Sequence, residues 1–130
     1  MTVQLRTPEQ VSLARRLVLE WATKLAFGVV DRTKFVTAAS ELGRNTLVHG
    51  KGGTMEILEL LHEGRSGLRL IFEDQGPGIA DVNKALQDGY TTANSMGLGL
   101  GGTRRLVNEF DIISTPGAGT KVTVVQWKRR

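Results

Sequence analysis

The sequence of 130 residues contains no cysteine. Disulfide bonds and thiolate-bound zinc or iron–sulfur sites are therefore excluded, and a reducing compartment suits the chain. The N-terminal stretch MTVQLRTPEQ lacks an apolar signal core. No apolar run approaches the roughly 20 residues that a membrane span requires. We therefore expect a cytoplasmic protein without a membrane partner.

Aromatic residues are also scarce, with four Phe, two Trp and one Tyr. The formal net charge is +4, and Lys128, Arg129 and Arg130 supply three positive charges at the C-terminus while the other cations are scattered. Proteins that bind nucleic acid usually combine a basic stripe with aromatic side chains for base stacking. We therefore expect no nucleic-acid partner. The length and a hydrophobic content of 40% predict a single domain over residues 1–130.

The first part of the chain predicts one strand and two helices. Residues 2–6 alternate between apolar and polar, which is typical of a short strand. The stretch Thr7-Pro8-Glu9 is typical of a helix start, and apolar residues then recur at helical spacing as far as Gly28. A second helix is expected from Asp31, as its cap, to the glycines that begin at Gly50.

The rest of the chain predicts four further strands and two further helices. The strands are expected over residues 54–63, 68–73, 111–114 and 120–127, and the helices over residues 81–89 and 98–110. A glycine turn typical of a hairpin joins the first two of these strands. Together the elements predict an α/β two-layer sandwich.

Two polar residues on the second predicted helix could share a cleft. Glu41 and Asn45 lie four residues apart and therefore face one direction, beside the apolar stripe. The amide oxygen of Asn45 suits a hard cation such as Mg²⁺, which usually keeps waters and substrate phosphates as its other ligands. Glu41 is of the type that positions or deprotonates an attacking hydroxyl. In isolation, the pair is more typical of a solvated helix face.

A second motif, EDQGPG, follows the apolar run 68–72. The carboxylate of Asp74 can accept a hydrogen bond from an exocyclic amine. Gly76 and Gly78 lack side chains, so a flat ring can lie against the backbone. A β-turn capped by Asp74 is the alternative interpretation.

A third motif, Gly97-Leu98-Gly99-Leu100-Gly101-Gly102, precedes a predicted helix. Backbone N–H groups in such a loop can hold an anionic phosphate chain. The spacing satisfies the dinucleotide-binding fingerprint, but that fold needs a buried strand directly before the glycines, and residues 91–95 are polar. The Walker sequence GxxxxGK followed by Ser or Thr is absent, as is the catalytic-loop motif of protein kinases.

In this order, ELGRN, DQGPG, GLGLGG and the closing GAGTKVTV resemble the N, G1 and G2 boxes and the last strand of the GHKL superfamily of ATPases and kinases. The resemblance covers nearly the whole chain. Within the superfamily, the short length, the stretch EDQGPGI and the ending TKVTVVQW are similar to RsbT-type serine/threonine kinases. The implied architecture is the Bergerat fold of histidine-kinase-like ATPases, with a mixed, mostly antiparallel sheet and its helices on one face.

The resemblance also implies that the chain binds ATP and Mg²⁺. It makes Glu41 the candidate catalytic base, Asn45 the metal ligand and Asp74 the residue that reads the adenine amino group. The other residues that it places at the nucleotide are Gly76, Gly78, Ile79, Thr91, Thr92, Gly97, Leu98, Gly99, Leu100, Gly101, Gly102 and Thr120. Lys51 is a weaker candidate for a phosphate contact, and we expect His49 and His62 at the surface or in packing.

Partners of RsbT-type kinases are STAS-domain proteins of the stressosome, which are phosphorylated on Ser or Thr. The released kinase activates a downstream regulator, commonly a PP2C-type phosphatase. Three alternatives remain: an anti-sigma factor of RsbW or SpoIIAB type, a nucleotide-dependent binding module without phosphotransfer, and a histidine-kinase catalytic domain. The short chain disfavours the anti-sigma factor, and the presence of Glu41 disfavours the binding module. The lack of a preceding phospho-acceptor helix disfavours the histidine-kinase domain.

Overall fold

The computed structural model describes residues 1–87 and 99–129. In chain order they form β1 (Thr2–Leu5), α1 (Pro8–Lys24), α2 (Val29–Val48), β2 (Gly53–His62), β3 (Arg65–Asp74), α3 (Val82–Ala85), α4 (Gly99–Arg104), β4 (Glu109–Thr115) and β5 (Gly119–Trp127). None of the helices in these two segments has the length and hydropathy that crossing a bilayer requires.

The five strands form one sheet in the order β1-β2-β3-β5-β4. All of the described strand pairs are antiparallel, so the sheet contains no parallel pair within these residues. β5 follows β4 along the chain but lies between β3 and β4. This order places the end of β3 beside the start of β5, with Asp74 opposite Thr120.

The core lies between the sheet and the helices α1 and α2. Alternate residues of β3, namely Leu68, Leu70 and Phe72, are buried, as period-two geometry requires for a sheet with one covered face. Phe35 and Leu42 of α2 belong to the same buried cluster. Full burial of such a side chain contributes about 1.5–3 kcal/mol relative to its exposure. The predicted α/β two-layer sandwich is confirmed.

The start of α1 follows the predicted pattern. The Thr7 side chain accepts a hydrogen bond of 3.2 Å from the backbone N–H of Gln10, and Pro8 occupies the first turn. This cap satisfies one of the N–H groups that a helix leaves unpaired at its start. α1 ends at Lys24, a few residues before the predicted stop near Gly28.

The predicted cap of α2 was wrong, because the helix begins at Val29 with Gly28 as its cap. Asp31 instead lies in the first helical turn, where a negative charge favours the helix dipole. Its nearly buried carboxylate accepts two hydrogen bonds from Arg129, of 2.6 and 3.1 Å. These hydrogen bonds and the opposite charge raise the pKa of Arg129 above its ordinary value.

The helix predicted over residues 98–110 was also wrong in extent. α4 ends at Arg104, and β4 begins at Glu109. The side chain of Asn108 accepts a 2.7 Å hydrogen bond from the Trp127 N–H, and the Asn108 N–H donates to the Gln126 side chain at 2.9 Å. The chain therefore pairs with β5 here, although its apolar residues are spaced as in a helix. α3 is shorter than predicted too, with Asp81 as its cap and Ala85 as its last residue.

Candidate functional site

A cavity of about 480 Å³ lies where α2 and β3 end and β5 begins. Its volume falls in the range of about 300–1,000 Å³ that is common for small-molecule sites. The lining residues come from α2, the strands, the loop after β3 and the short helices. They are Leu42, Asn45, Thr46, His49, Gly50, Phe72, Asp74, Pro77, Gly78, Ile79, Ala80, Asp81, Lys84, Ala85, Gly99, Leu100, Thr120 and Val122.

The predicted site residues fall into three groups. Those that line the cavity are Asn45, Asp74, Gly78, Ile79, Gly99, Leu100 and Thr120. Those that the structure describes outside the lining are Glu41, Gly76, Gly101 and Gly102. Those that lie outside the described residues are Thr91, Thr92, Gly97 and Leu98.

Asp74, the last residue of β3, presents its carboxylate at the cavity. One oxygen, Oδ1, accepts a hydrogen bond of 2.9 Å from the backbone N–H of Gly76. This bond fixes the orientation of the side chain and leaves acceptor capacity on the second oxygen, since a carboxylate has about four acceptor positions. The geometry therefore suits a ligand that donates a hydrogen bond, such as an exocyclic amine.

The glycines after β3 allow backbone to pack directly on backbone. A Cβ on Gly76 would lie 2.8 Å from the Cα of Gly50, closer than real Cβ contacts occur. Gly78 has a φ of +75°, and a Cβ there would overlap the carbonyl oxygen of Thr115. Gly76 therefore supports the site through packing, whereas Gly78 also lines the cavity.

A network of hydroxyl groups closes the wall formed by β4 and β5. The Ser114 Oγ accepts a 2.7 Å hydrogen bond from the backbone N–H of Ile79 and lies 2.8 Å from the Thr120 Oγ1. A further backbone bond of 2.7 Å joins Gly117 N–H to the Pro77 carbonyl. The loop after β3 is thereby fastened to the β4–β5 turn.

Asn45 lies on the cavity side of α2, near the end of the helix. Within residues 1–87 and 99–129, no group of three His, Cys, Asp or Glu side chains could hold a metal ion. The amide oxygen of Asn45 nevertheless fits Mg²⁺, because this ion commonly takes one protein ligand together with phosphates and waters.

Glu41 lies one helical turn before Asn45, outside the cavity lining. Its side chain is only 18% exposed and forms a 2.7 Å ion pair with the Nη2 of Arg44. Arg44 is more exposed, at 41%. The four-residue spacing places Glu41 and Asn45 on one side of α2, but only Asn45 lines the cavity, so the cleft that the two residues were expected to share stays a prediction.

The glycine-rich segment contributes Gly99 and Leu100 to the cavity, at the start of α4. A Cβ on Gly101 would overlap the Leu86 carbonyl oxygen, so this glycine lets α4 pack against the end of α3. The buried Thr103 hydroxyl donates a 2.9 Å hydrogen bond to the Gly99 carbonyl. The segment is therefore anchored on its C-terminal side.

Some of the residues that line the cavity were not among the predicted site residues. His49 lines the cavity, although we expected it at the surface or in packing. Its position four residues after Asn45, on the same helix face, was the available signal. Lys84 of α3 lines the cavity as well. Lys51 and Arg6 both line a neighbouring cavity of about 330 Å³, and the phosphate contact of Lys51 stays a prediction.

The sequence matches the histidine kinase-like ATPase domain over residues 5–126. It is 39% identical to the serine/threonine-protein kinase RsbT of Bacillus subtilis (strain 168), over 98% of this chain and 96% of RsbT. It is 30% identical to the anti-sigma F factor of Thermoanaerobacter sp. (strain X514), over 89% of this chain and 84% of that protein.

Two solved structures share the fold. The structure of the RsbU and RsbW domains of Rv1364c from Mycobacterium tuberculosis matches with a TM-score of 0.62 and 20% identity, over 100% of this chain and 33% of that chain. The catalytic domain of the histidine kinase ThkA matches with a TM-score of 0.56 and 16% identity, over 98% of this chain and 96% of that chain. At these identities the likeness concerns the architecture alone.

Proposed function

The chain belongs to the histidine kinase-like ATPase domain family, and on this premise we propose that it is an ATP-dependent serine/threonine-protein kinase of RsbT type. The resemblance to the GHKL superfamily and to RsbT is confirmed. The observation that carries the proposal is the similarity to RsbT, which extends over nearly all of both chains. The cavity at the ends of α2 and β3 supplies the site for the nucleotide.

Recognition of the adenine base is assigned to Asp74 and Thr120. The two residues are opposite each other on β3 and β5, and both line the cavity. Asp74 accepts a hydrogen bond from the exocyclic amine, and the apolar side chains of Leu42, Phe72 and Val122 provide surface for the flat ring. Ile79 and the backbone at Gly78 complete this part of the proposed site.

The phosphates are assigned to the side of the cavity formed by Asn45 and α4. Asn45 would hold Mg²⁺, which offsets the negative charge of the phosphates as it builds up during transfer. The backbone of Gly99 to Gly102 is the described part of the proposed phosphate cradle. The remaining proposed residues, Thr91, Thr92, Gly97 and Leu98, lie outside the described segments.

Phosphoryl transfer moves the terminal phosphoryl group of ATP to a serine or threonine hydroxyl of a partner, and ADP leaves. The chain needs no covalent nucleophile for this reaction, because positioning and charge compensation contribute most of the catalysis. Glu41 would accept the proton of the incoming hydroxyl. What supports this role is its place one helical turn before Asn45 on α2, where its carboxylate is paired with Arg44.

The proposed substrates are STAS-domain proteins of a stressosome, in the cytoplasm. After release, the kinase would activate a downstream regulator such as a PP2C-type phosphatase by direct binding. The similarity to RsbT and to an anti-sigma F factor supports a role in partner switching of this kind. The choice of STAS-domain proteins and a phosphatase as the partners is taken from the resemblance to RsbT-type kinases.

An anti-sigma factor is the second candidate function. It is favoured by the 30% identity to anti-sigma F factor over 89% of the chain. Such a protein would bind a sigma subunit tightly in the presence of nucleotide. A nucleotide-dependent binding module without phosphotransfer would keep the same cavity but would not use Glu41.

The deciding experiment incubates the purified protein with Mg-ATP and a STAS-domain protein encoded in the same genome, followed by intact mass spectrometry of both chains. We expect the STAS-domain protein to gain the mass of one phosphate. Glu41→Ala should abolish the transfer and leave ATP affinity unchanged, whereas Asp74→Asn should weaken ATP binding itself. Transfer by Glu41→Ala at the wild-type rate, or equal loss of ATP affinity in both variants, would contradict this division of roles.

A stable complex with a sigma factor and no transfer to the STAS-domain protein would instead favour the anti-sigma function. ATP binding without transfer, and without a sigma complex, would favour the binding module. Both outcomes would reject the proposed kinase activity.

A further inference from the structure

Lys84 of α3 lines the cavity, and the proposed nucleotide site gives it no role. Among the lining residues that the structure describes, it is the only lysine or arginine. The carboxylates of Asp74 and Asp81 line the same cavity. Apart from His49, which can take up a proton, the lining therefore has one positive side chain and two negative ones.

This charge balance matters for a ligand that carries a chain of phosphates. In a partly enclosed cavity, charges attract and repel one another more strongly than in bulk water. The backbone N–H groups of Gly99 to Gly102 supply only partial positive charges to the proposed phosphate cradle. A lysine ammonium adds a full positive charge and three N–H donors, which makes lysine a common ligand of phosphates.

The end of α3 packs directly against α4. A Cβ on Gly101 of α4 would overlap the carbonyl oxygen of Leu86 and would lie 3.2 Å from the carbonyl oxygen of Gln87. Both carbonyl groups lie within three residues of Lys84. α4 begins at Gly99, on the side of the cavity that is assigned to the phosphates. The helix that carries Lys84 is therefore next to the proposed phosphate cradle.

We propose that the ammonium group of Lys84 binds phosphate oxygens of the nucleotide from α3, on the side of the cavity that α4 forms. The preferred ligands are then adenine nucleotides with several phosphates, and the contribution of Lys84 depends on the phosphates alone. A contact with the ribose or the base is the alternative, and it would act equally on a nucleoside. The inference rests on the proposed binding of ATP.

The Lys84 side chain can be changed without removing the contacts that hold the backbone of α3. The Asp81 Oδ1 accepts a 3.0 Å hydrogen bond from the backbone N–H of Lys84, and this bond caps the helix. Ala85, the next residue, is buried and anchors the helix on its other side. A glutamine at position 84 keeps the backbone N–H and therefore keeps the cap.

The test compares adenosine, ADP and ATP as ligands of the wild-type protein and of Lys84→Gln, at one ionic strength and one Mg²⁺ concentration. Calorimetry gives the Kd of ADP and ATP, and competition against ATP gives the Kd of adenosine. We expect Lys84→Gln to weaken ATP binding by about tenfold or more, as loss of a hydrogen bond to a charged group predicts. The Kd of adenosine should stay at its wild-type value, because adenosine has no phosphate.

Lys84→Arg retains the positive charge and should retain most of the preference for ATP over adenosine. Lys24→Gln is the matched control, since Lys24 is an exposed lysine in the last turn of α1, outside the cavity. It changes the net charge of the protein by the same amount, so an effect of net charge alone would appear in both variants. Any general loss of folding cancels in the ratio of the two affinities within one variant.

Equal weakening of adenosine and ATP binding in Lys84→Gln would overturn the inference, because a phosphate contact does not affect a ligand without phosphates. ATP binding at the wild-type affinity in Lys84→Gln would overturn it as well, as would an equal loss in Lys24→Gln. In each of these cases, ATP binding by the wild-type protein would still support the proposed function. Failure of the wild-type protein to bind ATP at all would overturn both proposals.

Discussion

Gly50 lies directly against the side chain of Asp74. A Cβ on Gly50 would lie 2.5 Å from the Asp74 Oδ2, a separation that real Cβ atoms essentially never have. Gly50 follows the end of α2, and Asp74 ends β3. The helix that carries Asn45 and the strand that carries the proposed adenine acceptor therefore meet at a position with no room for a side chain.

Gly50→Ala should displace the Asp74 carboxylate and weaken ATP binding by about tenfold or more, as loss of a hydrogen bond to a charged group predicts. Gly28→Ala is the matched control, because a Cβ on Gly28 would meet nothing within 4 Å. Calorimetric titration of both variants provides the comparison. Wild-type affinity in Gly50→Ala would show that the position of Asp74 does not control binding.

Gly78→Ala should destabilise the fold and weaken nucleotide binding together. The positive φ costs about 1–2 kcal/mol for a residue with a Cβ, and the overlap with the Thr115 carbonyl adds to this cost. Gly64→Ala separates the two effects, since Gly64 has a φ of +77° and open space around its Cβ position. In urea unfolding, Gly78→Ala should lose more of the free energy of unfolding than Gly64→Ala does. Equal losses in the two variants would argue against the clash with the Thr115 carbonyl.

Phe35→Ala should lower the free energy of unfolding by about 3–5 kcal/mol, because it empties a fully buried position in the core. Val29→Ala on the same helix should change it by less than about 0.5 kcal/mol, since Val29 is 67% exposed. Chemical denaturation measures both. Similar effects of the two substitutions would mean that α2 does not pack on the sheet as described.

The ion pair between Asp31 and Arg129 should contribute to stability at all ordinary pH values. The pair raises the pKa of Arg129, so while Asp31 is ionised the contribution is present below the unfolded-state pKa of Arg129 and is lost as the pH rises through its higher folded-state pKa. Asp31→Ala, Arg129→Ala and the double variant should form a non-additive cycle in thermal unfolding at pH 7. Additive shifts in the Tm would show that the two side chains are independent.

Local chemistry made much of the fold predictable. The spacing of apolar residues identified both long helices, and the Thr7-Pro8 pair correctly marked the start of α1. The resemblance to the GHKL superfamily implied that Asn45 and Asp74 share a site, and the structure brings them to one cavity. Their roles stay predictions until binding is measured.

Features that depend on distant pairing were not predictable. Asp31 is a good cap in isolation, but its contact with Arg129 depends on a residue far along the chain. A helix was predicted up to Phe110 from the spacing of apolar residues, but Phe110 lies in β4 and pairs with β5. Local periodicity contains no information about such a pairing. Ser114 carries no motif, and its hydrogen bonds to Ile79 and Thr120 arise only when β4 pairs with β5.

The position of β5 between β3 and β4 has a consequence for synthesis on the ribosome. In the described sheet, β4 pairs with β5 alone, so the sheet cannot add β4 until β5 has emerged. Asp74 can pair with Thr120 only after β5 has emerged. A nascent chain can therefore collapse around β1, β2 and β3 but cannot complete the proposed nucleotide site, which makes closure of the cavity a late folding event.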